Sequence, residues 1–222
     1  MLHEGLSCGI TSPQKPSKTD SPCFPTGSKQ LDLSKKLLAE FIGPFALVFV
    51  GSLSVDISGS LVGVAIAHGF TLMFMVLAIG AVSGCHINPA ITIAYLSVKK
   101  IPAVEAAGYI IVQLTAAVVA GFLHLWITPD STTFIGLPLP SAAIGGSAMM
   151  ALAIEAIFTS ILAFSVYITA VHRKASPGFA ALNPARAFGP AIASGNLTTL
   201  WLYFVGPIIG AVVGFYAAKT LD

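Results

Sequence analysis

The residues best placed to do chemistry sit in two matching boxes, Asn88-Pro89-Ala90 and Asn183-Pro184-Ala185. Asn is a strong N-cap, and Pro is preorganised for the first turn of a helix. Each box therefore reads as a helix start whose first backbone N–H groups have no partner within the helix and whose dipole is positive at the Asn. Asn-Pro alone is common in ordinary turns, but here the flanks repeat as well. Ile87-Asn88-Pro89-Ala90-Ile91-Thr92 is answered by Leu182-Asn183-Pro184-Ala185-Arg186-Ala187, Tyr109 by Tyr203, and Ala117–Gly121 by Ala211–Gly214. No carboxylate pair, metal-ligand cluster, nucleophile–base pair or phosphate-binding glycine loop accompanies the boxes. Catalysis, a cofactor and a metal therefore have no support.

The elements that must hold these boxes are membrane spans. Of 222 residues, 55% are hydrophobic and only 9% charged, with a mean hydropathy of +0.87. A soluble domain is nearer a quarter charged. Apolar runs of about 20 residues with almost no charge mark an integral membrane protein. The net charge of +2 carries no nucleic-acid message, and Cys8, Cys23 and Cys85 make no disulfide framework. Two short capped helices inside two similar apolar halves point to a transport protein built from an internal repeat with broken helices.

Residues 1–34 are expected to form a disordered cytoplasmic tail, rich in Ser, Pro, Lys and Thr, ahead of a transmembrane channel domain at 35–222. The tail shows no apolar leader with a cleavage site, so the first span is expected to serve as the targeting signal. Spans are expected near 37–55, 61–82, 103–127, 147–171 and 198–218, with half-helices near 88–97 and 183–194 that are too short to cross. Lys and Arg collect in the tail, at Lys99-Lys100 and at Arg173-Lys174, which places all three in the cytoplasm.

The halves are unequal. Glu40 and Glu155 occupy matching places, yet Glu40 lies 48 positions before Asn88 and Glu155 only 28 before Asn183. The deficit is the length of one span, so one helix of the repeat is missing.

The two boxes, Ser83-Gly84-Cys85-His86-Ile87-Asn88-Pro89-Ala90 and Asn183-Pro184-Ala185-Arg186-Ala187-Phe188-Gly189-Pro190, resemble those of the major intrinsic proteins, the aquaporin family. The resemblance runs from about residue 37 to 218. It implies an all-α membrane protein with an inverted repeat and two half-helices, here with five full spans instead of six. It also implies passive transport of water and small neutral solutes through a pore, usually four pores to a tetramer. Asn88 and Asn183 would donate to a passing water and break its proton wire, in keeping with the exclusion of protons by half-helix dipoles and pore-lining donors. Arg186 matches the arginine of the outer constriction; an Arg at membrane depth has function as its default reading, and a snorkelling Arg is the alternative. His68, in the second-span position of that constriction, resembles aquaporin-8 and the plant tonoplast proteins, which also pass ammonia and hydrogen peroxide; a His packed between helices is the bland alternative. Ala180 matches the small loop residue of the filter, and the fourth member belongs to the missing span. Cys85 either lines the pore, giving mercurial block, or is a buried inert thiol.

In the family, Glu40 and Glu155 would brace the half-helix loops by accepting backbone N–H bonds, with His86 binding backbone in the same role. His124 and His172 resemble an interfacial and a cytoplasmic-loop histidine. Glycerol channels carry an Asp directly after the second-box Arg; here that residue is Ala187, and Tyr203-Phe204 also resembles the water-selective branch.

Without the missing span the chain approaches the second box from the cytoplasm. Extended, the eight residues 175–182 reach about 26 Å, more than the roughly 15 Å to the midplane. The fold is therefore allowed, but backbone exposed to lipid costs several kcal/mol for each unpaired group. Lower stability and weak or absent conduction are expected, and a truncated subunit that only assembles with full-length relatives is the alternative to a working homotetrameric channel.

Overall fold

A computed structural model describes residues 32–58, 60–130, 138, 145–168 and 183–221. These residues form seven helices and no strand: α1 (Leu33–Ser58), α2 (Leu61–Ser83), α3 (Pro89–Ser97), α4 (Ala103–Ile127), α5 (Ala148–Val166), α6 (Pro184–Ser194) and α7 (Leu202–Lys219). Five are long and apolar enough to cross a membrane. At 1.5 Å per residue they run about 27–39 Å, against a hydrocarbon core of about 30 Å. The half-helices α3 and α6, of 9 and 11 residues, reach only about half that depth.

Capping sets the boundaries. Asn88 accepts from the Ala90 N–H at 2.8 Å and Asn183 from the Ala185 N–H at 2.9 Å, each with proline in the first turn behind it. Gly195 ends α6 in the left-handed region at φ 69°, where glycine carries no Cβ penalty. The last span begins at Leu202 rather than near 198, because residues 197–201 close tight turns in which Leu202 N–H reaches Thr199 O and Tyr203 N–H reaches Leu200 O.

The packing follows the repeat and then departs from it. α1 lies against both α2 and α4, while α5 lies against α7. The half-helices are exchanged: α6 packs on α4 of the first half and α3 on α7 of the second. Small residues bring backbones together at these crossings, as expected where packing rather than hydrophobicity drives association. A Cβ on Gly189 would strike the Ala117 carbonyl, and one on Gly121 would come within 2.6 Å of the Gly189 oxygen. Among the described residues, α1 thus packs on α2, α4 and, more lightly, α6, whereas α5 packs chiefly on α7. Ile154, Ile157, Phe158 and Ile161 of α5 are exposed, on the half from which the span is missing.

His124, in the last turn of α4, is fully buried among the helices and hydrogen-bonded to Asp56 at 2.8 Å. His172 lies outside the described residues.

Candidate functional site

The segment between α2 and α3 doubles back to present Asn88, and its backbone is strained. Gly84, Cys85 and Ile87 all have positive φ (87°, 52° and 55°), and for a β-branched residue such as Ile87 that is a true outlier. What holds it is Glu40 of α1. This fully buried carboxylate accepts from the Ser83 hydroxyl (2.6 Å) and His86 N–H (2.8 Å) on Oε1, and from Ile87 N–H (2.8 Å) and the Gln113 amide (2.8 Å) on Oε2. Four donors on one carboxylate leave no buried lone pair unmatched. His86 differs from expectation: its ring meets the Thr92 hydroxyl at 3.1 Å, not backbone, and stacks on Tyr95 at 4.2 Å between ring centroids.

The two boxes meet at Ile87. Its N–H goes to Glu40, and its carbonyl accepts from Nδ2 of Asn183 at 2.9 Å. Asn183 Oδ1 is spent capping α6, so the second N–H of its amide remains for another acceptor. Asn88, Asn183 and Cys85 line a common cavity of about 50 Å³, with Leu47, Leu162 and Val166 also on its wall. A water needs roughly 10–15 Å³ on this measure, so the space is large enough to take water.

One turn along α6, Arg186 donates from Nε to Nε2 of His68 at 3.2 Å. His68 Nδ1 faces the Val64 carbonyl at 2.9 Å. A carbonyl only accepts, so Nδ1 carries the proton and Nε2 offers its lone pair to Arg186. His68 and Arg186 are therefore brought together from opposite halves of the chain. Glu155, half-buried on α5, lies close enough to Arg186 for their charges to interact. Ala180 lies outside the described residues, as do the loop residues that Glu155 was expected to brace.

Sequence reasoning overlooked Gln113 and Thr92, which complete the Glu40 network through a 3.1 Å bond between them, and Tyr109, whose hydroxyl donates to Ser83 O at 2.8 Å. The signal was present in Gln113, a polar side chain in the middle of an apolar span.

The sequence profile named Major intrinsic protein matches residues 27–179 and 175–217, nearly the whole described chain. The chain belongs to the major intrinsic protein family. It is 35% identical to Aquaporin NIP1-1 of Zea mays, over 84% of this chain and 74% of that one. It is 34% identical to Aquaporin AqpM of Methanothermobacter thermautotrophicus, over 82% of this chain and 95% of that one. Its fold matches the X-ray structure of the aquaglyceroporin from Plasmodium falciparum with a TM-score of 0.66, covering 83% of this chain and 95% of that one at 22% identity. This aquaporin-family chain is thus an integral, multi-pass membrane protein of a channel family for small solutes, not of an enzyme family. The narrower likeness to aquaporin-8 and the tonoplast proteins rests on His68 alone. The profile match breaks at 175–179, where the count from Glu155 to Asn183 puts the missing span. The AqpM alignment runs over 237 positions, several tens of which face no residue of this chain.

Proposed function

We propose that this aquaporin-family chain provides a passive pore for water between α3 and α6, with ammonia and hydrogen peroxide as further solutes suited to the polar His68 and Arg186 constriction. The observation that carries this reading is the bond from Asn183 Nδ2 to the Ile87 carbonyl, which joins two opposed, positively polarised helix starts across a water-sized cavity. A water between them takes hydrogen bonds from fixed donors and cannot relay a proton, while Arg186 repels cations. Ala187 after Arg186, and Tyr203-Phe204 nearby, argue against glycerol. Cys85 lines the same cavity, so mercurials should block it. The N-terminus lies in the cytoplasm by the positive-inside rule, and assembly is as a homotetramer or with full-length relatives.

A second reading is favoured by the missing span, which would wall the pore and supply one filter residue. On that reading the chain is a truncated, non-conducting subunit that assembles with full-length channels. Stopped-flow shrinkage of proteoliposomes holding this chain alone decides between them. Weak, mercury-sensitive water flux above that of empty vesicles supports the pore. Flux equal to empty vesicles, with suppression of a co-expressed full-length channel, supports the subunit reading and overturns the first.

A further inference from the structure

α1 gives up a side chain where α2 presents one. Leu47 lines the cavity of the two Asn residues, and Gly51, one turn further along the same face of α1, is buried. A Cβ on Gly51 would lie 2.4 Å from His68 Nε2, 2.7 Å from Cδ2 and 2.8 Å from Cε1. The nearest atom is one corner of the ring, and its two ring neighbours are almost equally near. The methyl would therefore stand over the face of the imidazole, not at its edge. His68 occupies the space that any other residue at 51 would fill. α1 makes the same concession two turns earlier, at Gly43, where a Cβ would meet the Ile87 side chain at 2.7 Å.

The ring cannot slip aside without loss. Nδ1 is held at 2.9 Å by the Val64 carbonyl one turn back on α2, and Nε2 at 3.2 Å by Arg186 of α6. Moving from 2.4 Å to the 3.4 Å of an ordinary contact takes a retreat of about 1 Å. That retreat is away from α1. Leu47 and Gly51 share the face that α1 turns to the passage, so a ring pushed off α1 moves into the passage, beside Arg186.

We propose that Gly51 is a specificity-determining positioning residue that lets His68 lie back against α1 and so sets the opening between His68 and Arg186, a role that rests on the pore reading above. The test compares full chains of wild type, Gly51→Ala, His68→Ala and the double variant in proteoliposomes. Water flux is read by stopped flow, and hydrogen peroxide entry by an enclosed peroxidase with a fluorogenic dye. Gly51→Ala should lower the ratio of peroxide to water flux severalfold. His68→Ala and the double variant should share one ratio, because without the ring the methyl has nothing to push. A ratio unchanged by Gly51→Ala, or lowered as much in the His68→Ala background, would overturn the role and leave the pore reading standing. So would a wild type that passes water and no peroxide. Wild-type flux equal to empty vesicles would end the pore reading and the role with it.

Melting in mild detergent reads the contact without flux. Gly51→Ala should lower Tm by several degrees in the wild-type background and leave it unchanged in the His68→Ala background. Equal losses in both would put the cost of the methyl on helix packing, not on the ring, and overturn the proposal. If Gly51→Ala does not fold, a folded double variant supports the contact, and failure of both overturns it.

Discussion

Glu40→Gln is the sharpest perturbation of the junction, because it keeps shape and volume and changes only the hydrogen-bond inventory. The carboxylate accepts four bonds, two on each oxygen. A glutamine oxygen can keep Ser83 and His86, but its NH₂ then faces the Ile87 N–H and the Gln113 NH₂. Gln113 can turn its amide, at the expense of its bond to Thr92; the Ile87 backbone cannot turn. One buried N–H is left unpaired, at about 1–3 kcal/mol, and one charge-assisted bond worth about 1.5–3 kcal/mol is lost. Relief of the desolvation of a buried charge offsets part of this, leaving a net loss of about 2–4 kcal/mol. For a chain of this length that is on the order of 5–10 °C in Tm. Thermal unfolding in mild detergent, followed by tryptophan emission, measures it. A Glu40→Gln chain melting within a degree of wild type would show that the strained Ile87 backbone is held by something other than this carboxylate.

Asn183→Ala removes both the cap of α6 and the bond to the Ile87 carbonyl, together about 2 kcal/mol; the same melting assay should show it, with water flux abolished in proteoliposomes. Gly189→Ala should destabilise more than Gly43→Ala. The first drives a methyl into the Ala117 backbone, whereas the second meets only side-chain atoms, of Ile87 at 2.7 Å and Ile79 at 3.1 Å, an overpacking cost of about 1–3 kcal/mol; equal melting temperatures would contradict this ordering. Inserting an uncharged apolar segment of about 20 residues between Lys174 and Asn183 should raise both Tm and single-chain water flux severalfold, read by the same two measurements.

The elements were legible where local chemistry determines them. Asn88 and Asn183 announced α3 and α6 because an Asn cap followed by Pro at the first turn leaves the backbone few alternatives, and the five spans follow from apolar length. The unequal spacing from Glu40 and Glu155 to their boxes exposes the missing helix in the sequence itself. Less was legible where partners come from distant helices. Glu40 stood out as an acid in an apolar helix, but its donors lie 43 to 73 positions away, and nothing local selects Ser83 and Gln113 over other polar residues. His86 was assigned a backbone partner because its neighbour Thr92 gives no sign in sequence of turning its hydroxyl toward the ring. His124 gives no sign in sequence of its partners, and only the packing of α1 against α4 reveals Ser52 and Asp56 facing it.

The exchange of half-helices explains how a chain one span short still brings its boxes together. Were α6 seated on the helices of its own half, losing a neighbour of α5 would remove part of its support. Instead α6 rests on α4, which is held to α1 by buried polar contacts at Glu40–Gln113 and at Asp56–His124. α3 rests in turn on α7, which lies against α5, with glycines 210 and 214 of α7 meeting the Ala156 and Ser160 carbonyls. Each half therefore keeps its long-helix pair, α1 with α4 and α5 with α7, and each pair carries the half-helix of the other. The missing span belongs to neither pair. Its loss leaves the apolar face of α5 exposed and the Asn183–Ile87 contact in place. On the proposed pore reading, such damage is expected to weaken conduction far more than it weakens the fold.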